Sequence, residues 1–247
     1  MKKISNLPGR LGNIELELKD DPRIDLRIIE AMEPHGLHVN APMPPVSIEA
    51  SDEDKLNYFK EAEPGYQTIF SEWFADVERP KNVETSCQNI LGSDGNEIKL
   101  TITKPLKNKS EMPAVLHLHG GGMTILTASD PNYVFWRENL SSKGLIVIGV
   151  EFRNVGGQLG NHPFPAGLND CVSALSWLHK KRTDLGISKI IISGESGGGN
   201  LSIATALKAK DLGNVNYFDG VYAQCPYISN MYGAKKNQLP SLAENDA

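Results

Sequence analysis

The chain has no apolar run long enough to cross a membrane; its longest near-continuous stretches, such as Leu145 to Val150, are the length of a strand. Its first residues, Met1 to Arg10, hold two lysines but no apolar segment of the kind a secretory signal needs. Cysteine is scarce. Cys87, Cys171 and Cys225 are odd in number and widely spaced, which excludes a disulfide framework and a thiolate metal site. They read as reduced thiols of a cytoplasmic protein. No basic cluster offsets the formal charge of −5, so nucleic acid and anionic membranes are not expected partners. The glycine run Gly197-Gly198-Gly199 is not followed by Lys-Ser or Lys-Thr, so it is no phosphate-binding loop of that type. Internal repeats and low-complexity tracts are absent as well. The last absence concerns histidine: all six (His35, His38, His117, His119, His162, His179) precede Ser196.

What is present suits a globular protein. With 247 residues, 40% hydrophobic and 22% charged, the chain can bury a large core in one domain, or one domain with an appendage. Residues 1–80 carry helical signals. Asp21 followed by Pro22 reads as a helix start, with Ile24, Ile28 and Met32 on one face. A Pro-rich linker follows at Ala41 to Pro45, and Ser51 with Asp54 forms a capping pattern. Tyr66, Ile69, Phe70, Trp73 and Phe74 then make an aromatic helical stripe, either core packing or a lid over a pocket.

From about residue 81 the pattern changes. Two short runs flank the turn Gly92 to Asn96, and Ile98, Leu100 and Ile102 alternate with polar residues as in a hairpin with one buried face. Apolar strands are expected at Ala114–His117, Leu145–Val150, Lys189–Ser193 and Gly220–Gln224. Helical segments separate them, one near Tyr133–Ser142 and one at Ala166–Lys181 with Leu168, Val172, Leu175 and Leu178 on one side. That alternation predicts an α/β fold, a mostly parallel sheet flanked by helices. Asp170 reads as structural, Arg153 as the partner of a loop carboxylate, and His162 as a hydrogen-bonding group of a Pro-rich turn.

Two motifs carry chemistry. Gly194-Glu195-Ser196-Gly197-Gly198 lies between an apolar strand and a helix, where a Gly-x-Ser-x-Gly elbow lifts a serine hydroxyl clear of the sheet. The tightness of that turn requires Gly194 and Gly198. His119-Gly120-Gly121-Gly122 follows an earlier strand. Its unhindered backbone N–H groups can hold an oxyanion, with Gly197 adding a further donor. His119 is expected to brace this loop by hydrogen bonds rather than to act as a base.

These motifs, with Glu151-Phe152-Arg153 and His162-Pro163-Phe164-Pro165-Ala166 between them, resemble the bacterial hormone-sensitive-lipase-like esterases over nearly the whole chain from about Asp20. The resemblance implies an α/β-hydrolase with an N-terminal helical cap (1–80) and a hydrolase core (81–247). It implies a cofactor-free, metal-free serine carboxylesterase acting on small short-acyl esters. Ser196 would be the nucleophile and Gly121, Gly122 and Gly197 the oxyanion donors, with His119, Gly120, Gly194 and Gly198 as supporting residues. The family often has Tyr-Arg-Leu-Ala-Pro-Glu where Phe152 to Gly157 stand, and commonly Asp and Ala at Glu195 and Gly197. Its triad acid and histidine follow the serine. Here the segment from Pro226 to Ala247 resembles a mid-core loop, so Asp246 is not that acid. The resemblance thus implies a chain truncated at its C-terminus, lacking the last strands, and inactive or nearly so. An open edge at Gly220–Gln224 would invite aggregation or a homo-oligomer. The alternative is a non-catalytic member of the fold that binds a small ligand.

Overall fold

The apolar runs seen in the sequence become the central strands of one six-stranded sheet. The computed structural model describes residues 13, 15–40, 45–47, 49–107 and 111–228. The expectations placed on residues 1–10, on 41–44 of the Pro-rich linker and on the tail beyond 228, Asp246 included, lie outside the described residues. The chain divides into two compact units, one drawn from Met1–Ser47 with Ile228–Ala247, the other Ile48–Tyr227.

In the smaller unit, helix α1 (Leu26–Met32) is capped by Asp25, whose carboxylate accepts the Arg27 N–H at 2.9 Å. The expected start at Asp21 is therefore corrected. The Asp21 carboxylate accepts the Arg23 N–H and guanidinium instead, closing a turn ahead of the helix and lowering the Asp21 pKa to about 2. No residue of α1 is buried, so its expected apolar face does not form a core there.

The larger unit begins with α2 (Asp52–Phe74). Ser51 caps it as its sequence suggests, its Oγ accepting the Asp54 N–H at 3.1 Å and donating to the Asp54 carboxylate at 2.7 Å. The helix runs through Pro64 rather than restarting after it. Its aromatic stripe serves two purposes. Phe74 packs on Phe135 of α3 (Pro131–Ser142) at 5.2 Å, while Tyr66 and Phe70 face a cavity described below.

Strands β1 (Val83–Leu91) and β2 (Glu97–Pro105) form the expected hairpin, with Ile98, Leu100 and Ile102 buried on one face. Strands β3 (Met112–Leu118), β4 (Ile146–Glu151), β5 (Ile187–Glu195) and β6 (Gly220–Gln224) complete the sheet in the order β1-β2-β4-β3-β5-β6. The pairs β3/β4, β3/β5 and β5/β6 are parallel; those made by β2 are antiparallel. Helix α4 (Ala166–Lys180) buries Leu168, Leu175 and Leu178 against the sheet, and α5 (Gly197–Asp211) buries Leu201. Each such leucine contributes about 1.5–3 kcal/mol relative to exposure. This is the α/β-hydrolase architecture expected from the sequence.

Arg153 and Asp170 also take the expected structural parts. The Arg153 guanidinium binds the buried Asp170 carboxylate at 2.8 Å and reaches Asp94 at 2.6 Å, tying α4 to the hairpin turn.

Candidate active site

Strand β4 lies on one side of β3 and β5 on the other, so the order of the parallel strands reverses direction at β3. In open parallel sheets such a reversal opens a crevice at the carboxyl ends of the strands. Two segments far apart in sequence emerge there side by side. Leu118 pairs with Gly194 across β3 and β5, so the glycine loop after β3 adjoins the turn after β5.

The turn after β5 is as tight as its glycines suggest. A Cβ on Gly198 would lie 1.9 Å from the Leu118 carbonyl oxygen, and one on Gly194 would lie 2.4 Å from the carbonyl oxygens of Leu118 and Gly198. Between them Ser196 takes φ 52° and ψ −115°, outside the ordinary regions for an L-residue. Hydrogen bonds hold this strained conformation. The Ser196 N–H donates to the Gln224 carbonyl, and its own carbonyl accepts from Asn200 and Tyr227, each at 3.0 Å. The side chain is left exposed.

Ser196 opens onto a cavity of about 550 Å³. Tyr58, Phe59, Tyr66 and Phe70 of α2 form one wall, Tyr133 and Tyr227 add two more aromatic rings, and Gly120, Gly121 and Gly122 form the edge nearest the serine. No Lys, Arg or His lines it among the described residues; Glu195 contributes the only carboxylate. A larger opening of about 770 Å³, between the β1–β2 turn and helices α4 and α5, holds none of the motif residues.

The glycine loop presents its amides to this cavity. Among the described residues, the N–H groups of Gly121, Gly122 and Gly197 have no protein acceptor. Gly197 and Gly122 lie close together, since a Cβ on Gly197 would sit 2.8 Å from the Gly122 and Met123 nitrogens. The amide of Gly120 is used differently. It donates to Glu195 Oε1 at 2.9 Å, and Glu195 Oε2 faces His117 Nε2 at 3.1 Å. The elbow's own glutamate therefore ties the elbow to the loop.

Neither nearby histidine faces the cavity. His119 is fully buried, stacked on Phe152 with ring centroids 4.1 Å apart, and its Nδ1 lies 2.8 Å from the Gly120 carbonyl oxygen. A carbonyl only accepts, so Nδ1 carries the proton. Burial pushes the His119 pKa down to about 3, keeping the ring neutral. His117 is stacked on Trp136 at 4.4 Å, and burial lowers its pKa against the opposing pull of Glu195. His162 and His179, the other histidines of the larger unit, line no part of the cavity; His35 and His38 belong to the smaller unit.

The structure thus brings Ser196, Gly121, Gly122 and Gly197 together, with Gly120, Gly194, Gly198 and His119 behind them. Sequence reasoning missed the bridging part of Glu195, although its place inside the elbow motif was a signal. It also missed Glu63, for which no local pattern exists. Among the described residues no group of three or more His, Cys, Asp or Glu side chains is placed to hold a metal ion. No helix is long and apolar enough to cross a membrane among those residues.

Comparison with known proteins gives concordant matches. The family model for the alpha/beta hydrolase fold matches residues 115–246. The chain is 32% identical over 163 residues to carboxylesterase NlhH of Mycobacterium tuberculosis, which covers 64% of this chain and 47% of that protein. It is 29% identical over 160 residues to mouse (Mus musculus) hormone-sensitive lipase, covering 63% of this chain and 20% of the lipase. Among solved structures, brefeldin A esterase, a bacterial homologue of human hormone sensitive lipase, superposes with a TM-score of 0.89 at 40% identity, covering 96% of this chain and 67% of that one. The chain spans about half the length of the carboxylesterase, 47%.

Proposed function

The chain belongs to the hormone-sensitive-lipase-like esterases of the α/β-hydrolase fold, and on that footing we propose that Ser196 is the nucleophile of a carboxylic ester hydrolase working through an acyl-enzyme. One observation carries this reading. An exposed serine on a strained elbow lines one cavity with Gly121 and Gly122, whose amides, like that of Gly197 beside them, have no protein acceptor among the described residues.

In this reading the Ser196 Oγ adds to the carbonyl carbon of a small ester. The carbonyl oxygen gains negative charge and is received by the N–H groups of Gly121, Gly122 and Gly197. Each such donor is worth about a hundred- to a thousandfold in rate. Collapse of the tetrahedral species breaks the bond to the alkoxy oxygen, the serine proton passing by way of solvent water to the departing alcohol, and a second water then releases the acid and restores the Ser196 hydroxyl. The apolar wall of α2 holds the substrate and excludes water, which strengthens the amide contacts. A lining without cations suits neutral esters.

The serine proton needs an acceptor, and no histidine of the larger unit lines the cavity among the described residues. His119 is committed to the Gly120 carbonyl and His117 faces Glu195, whose two oxygens are already engaged. Loss of the base of a serine triad costs on the order of a millionfold in kcat, while the oxyanion contacts and binding alone retain roughly a thousand- to ten-thousandfold over water. The 247-residue chain is therefore expected to turn over slowly.

The test is p-nitrophenyl butyrate hydrolysis by the chain and by Ser196→Ala, with mass spectrometry of both after treatment with a fluorophosphonate. A weak Ser196-dependent rate, and a phosphonate adduct on the peptide bearing Ser196, are expected. Equal rates with no adduct on Ser196 would overturn the reading. The cavity without an imidazole favours a second reading, a non-catalytic member that binds a small ligand. Tight ligand binding with no Ser196-dependent turnover or labelling would support that instead.

A further inference from the structure

The loop that presents Gly121 and Gly122 is held in an unfavourable shape. Gly121 and Gly122 have φ of 100° and 65°, and the non-glycine residues Met123 and Leu126 have φ of 62° and 73°. Such backbone persists only where its surroundings over-determine it.

Here the surroundings are carboxylates. Three consecutive amides each donate to a different one: Leu126 to Glu63 at 2.6 Å, Thr127 to Asp130 at 3.0 Å, and Ala128 to Glu151 at 2.7 Å. Asp130 belongs to the loop's own end and Glu151 ends β4. Glu63 comes from α2, the helix that walls the cavity.

Glu63 is 3% exposed, the only buried residue on α2 among those described, and it makes a second short bond. Its Oε2 accepts the Gln158 N–H at 2.6 Å. Residue 157 is a glycine at φ 66°, and a Cβ there would lie 2.7 Å from the same carboxylate oxygen. The 154–158 segment also bonds the loop directly. Val155 and Gly156 donate to the carbonyls of Met123 and Thr124 at 3.1 and 2.9 Å, and the Asn154 side-chain amide donates to the Leu126 carbonyl at 2.8 Å. One buried carboxylate therefore closes a ring of three segments: the cavity helix, the glycine loop and the loop that follows β4.

We propose that Glu63 is a positioning residue: it clamps the glycine loop to α2 and so sets where the Gly121 and Gly122 amides point when an oxyanion forms. This rests on the reading of those amides as oxyanion donors. It goes beyond that reading by making the cavity wall and the amide cradle one mechanical unit. Charge-assisted bonds to backbone N–H groups are about twice as strong as neutral ones, and a buried carboxylate with two such donors has no better arrangement elsewhere.

The test compares the full chain with Glu63→Gln, Gly157→Ala and the exposed-site control Glu61→Gln. Amide hydrogen exchange reads the clamp, and the rate of fluorophosphonate labelling at Ser196 reads its consequence. Gln keeps one acceptor but sets an NH2 group against the second N–H; the alanine at 157 crowds the carboxylate while leaving it in place. In both, exchange at Leu126 and Gln158 is expected to rise by about 10–100-fold while exchange in β3, β4 and β5 is unchanged. The maximal labelling rate is expected to fall by about 10-fold or more at unchanged half-saturating reagent, because the apolar wall is intact and the amides are displaced. Glu61→Gln should match the parent in both readouts.

Unchanged exchange at Leu126 and Gln158 in both variants would overturn the clamp. So would an equal rise across β3 to β5 in both, which would make Glu63 a general support of the fold. Faster local exchange with a labelling rate equal to the parent would overturn its link to the oxyanion. If the parent takes no label at all, the nucleophile reading fails while the exchange data still decide the clamp.

Discussion

Acid should weaken this protein through its buried imidazoles, and His119 carries the larger part that can be worked out. His119 is buried beneath the glycine loop, and its pKa falls from 6.5 to about 3, chiefly because burial disfavours the charged ring. In the unfolded chain the same ring takes up a proton near pH 6.5. Between these two values the unfolded state binds a proton that the folded state refuses, so stability falls as pH falls. The contribution is intact above pH 6.5 and declines steadily down to about pH 3. One pKa unit corresponds to about 1.4 kcal/mol, so moving from pH 7 to pH 5 should cost about 2 kcal/mol through His119 alone. That is a sizeable share of a domain's typical 5–15 kcal/mol. His119→Asn removes the titration while placing an amide nitrogen near the Nδ1 position, where it can still donate to the Gly120 carbonyl. Urea unfolding of both proteins at pH 7, 6 and 5 isolates the effect, because the other groups titrate alike in each. The variant is expected to be less stable at pH 7, through lost stacking on Phe152, but to lose about 2 kcal/mol less between pH 7 and 5. Parallel stability profiles for the two proteins would refute the reasoning.

Two further substitutions probe the frame of the site. Gly198→Ala forces a Cβ to within 1.9 Å of a backbone carbonyl oxygen, and should destabilise by about 3 kcal/mol or more in urea unfolding; a change below about 0.5 kcal/mol would mean the elbow is looser than described. Arg153→Ala strips the guanidinium from Asp170, whose side chain is 1% exposed, and should cost about 3–5 kcal/mol in the same assay, since it leaves a buried charge unpaired. Arg153→Ala combined with Asp170→Asn should recover part of that loss, and no recovery would argue against the pair as its source.

Local rules made much of this molecule legible. The alternation of Ile98, Leu100 and Ile102 marked one buried face of a hairpin, because neighbouring side chains of a strand point to opposite sides. The capping serine at 51 announced α2, and the spacing of Gly194, Ser196 and Gly198 announced a turn that admits no side chain at its flanks. Periodicity misled at the first helix. Asp21 finds Arg23 two residues on, so its carboxylate closes a turn before the helix instead of capping it. The aromatic stripe after Pro64 left core and lid undecided, since a helix period says which face is apolar but not what that face meets.

Sequence by itself determined which residues could do chemistry: a serine on an elbow, glycines with unhindered amides, and no histidine after them. Only the tertiary structure decided which of these meet. Parallel pairing of Leu118 with Gly194 sets the glycine loop beside Ser196, although the two paired residues are 76 positions apart in the sequence (194 − 118). Burial decided that His119 stays neutral and turned away. Convergence of α2, β4 and β5 on one loop decided that Glu63, Glu151 and Glu195 hold amides instead of facing water. Such long-range meetings leave no periodic trace, because the energy that selects them comes from packing whole elements together rather than from neighbours along the chain.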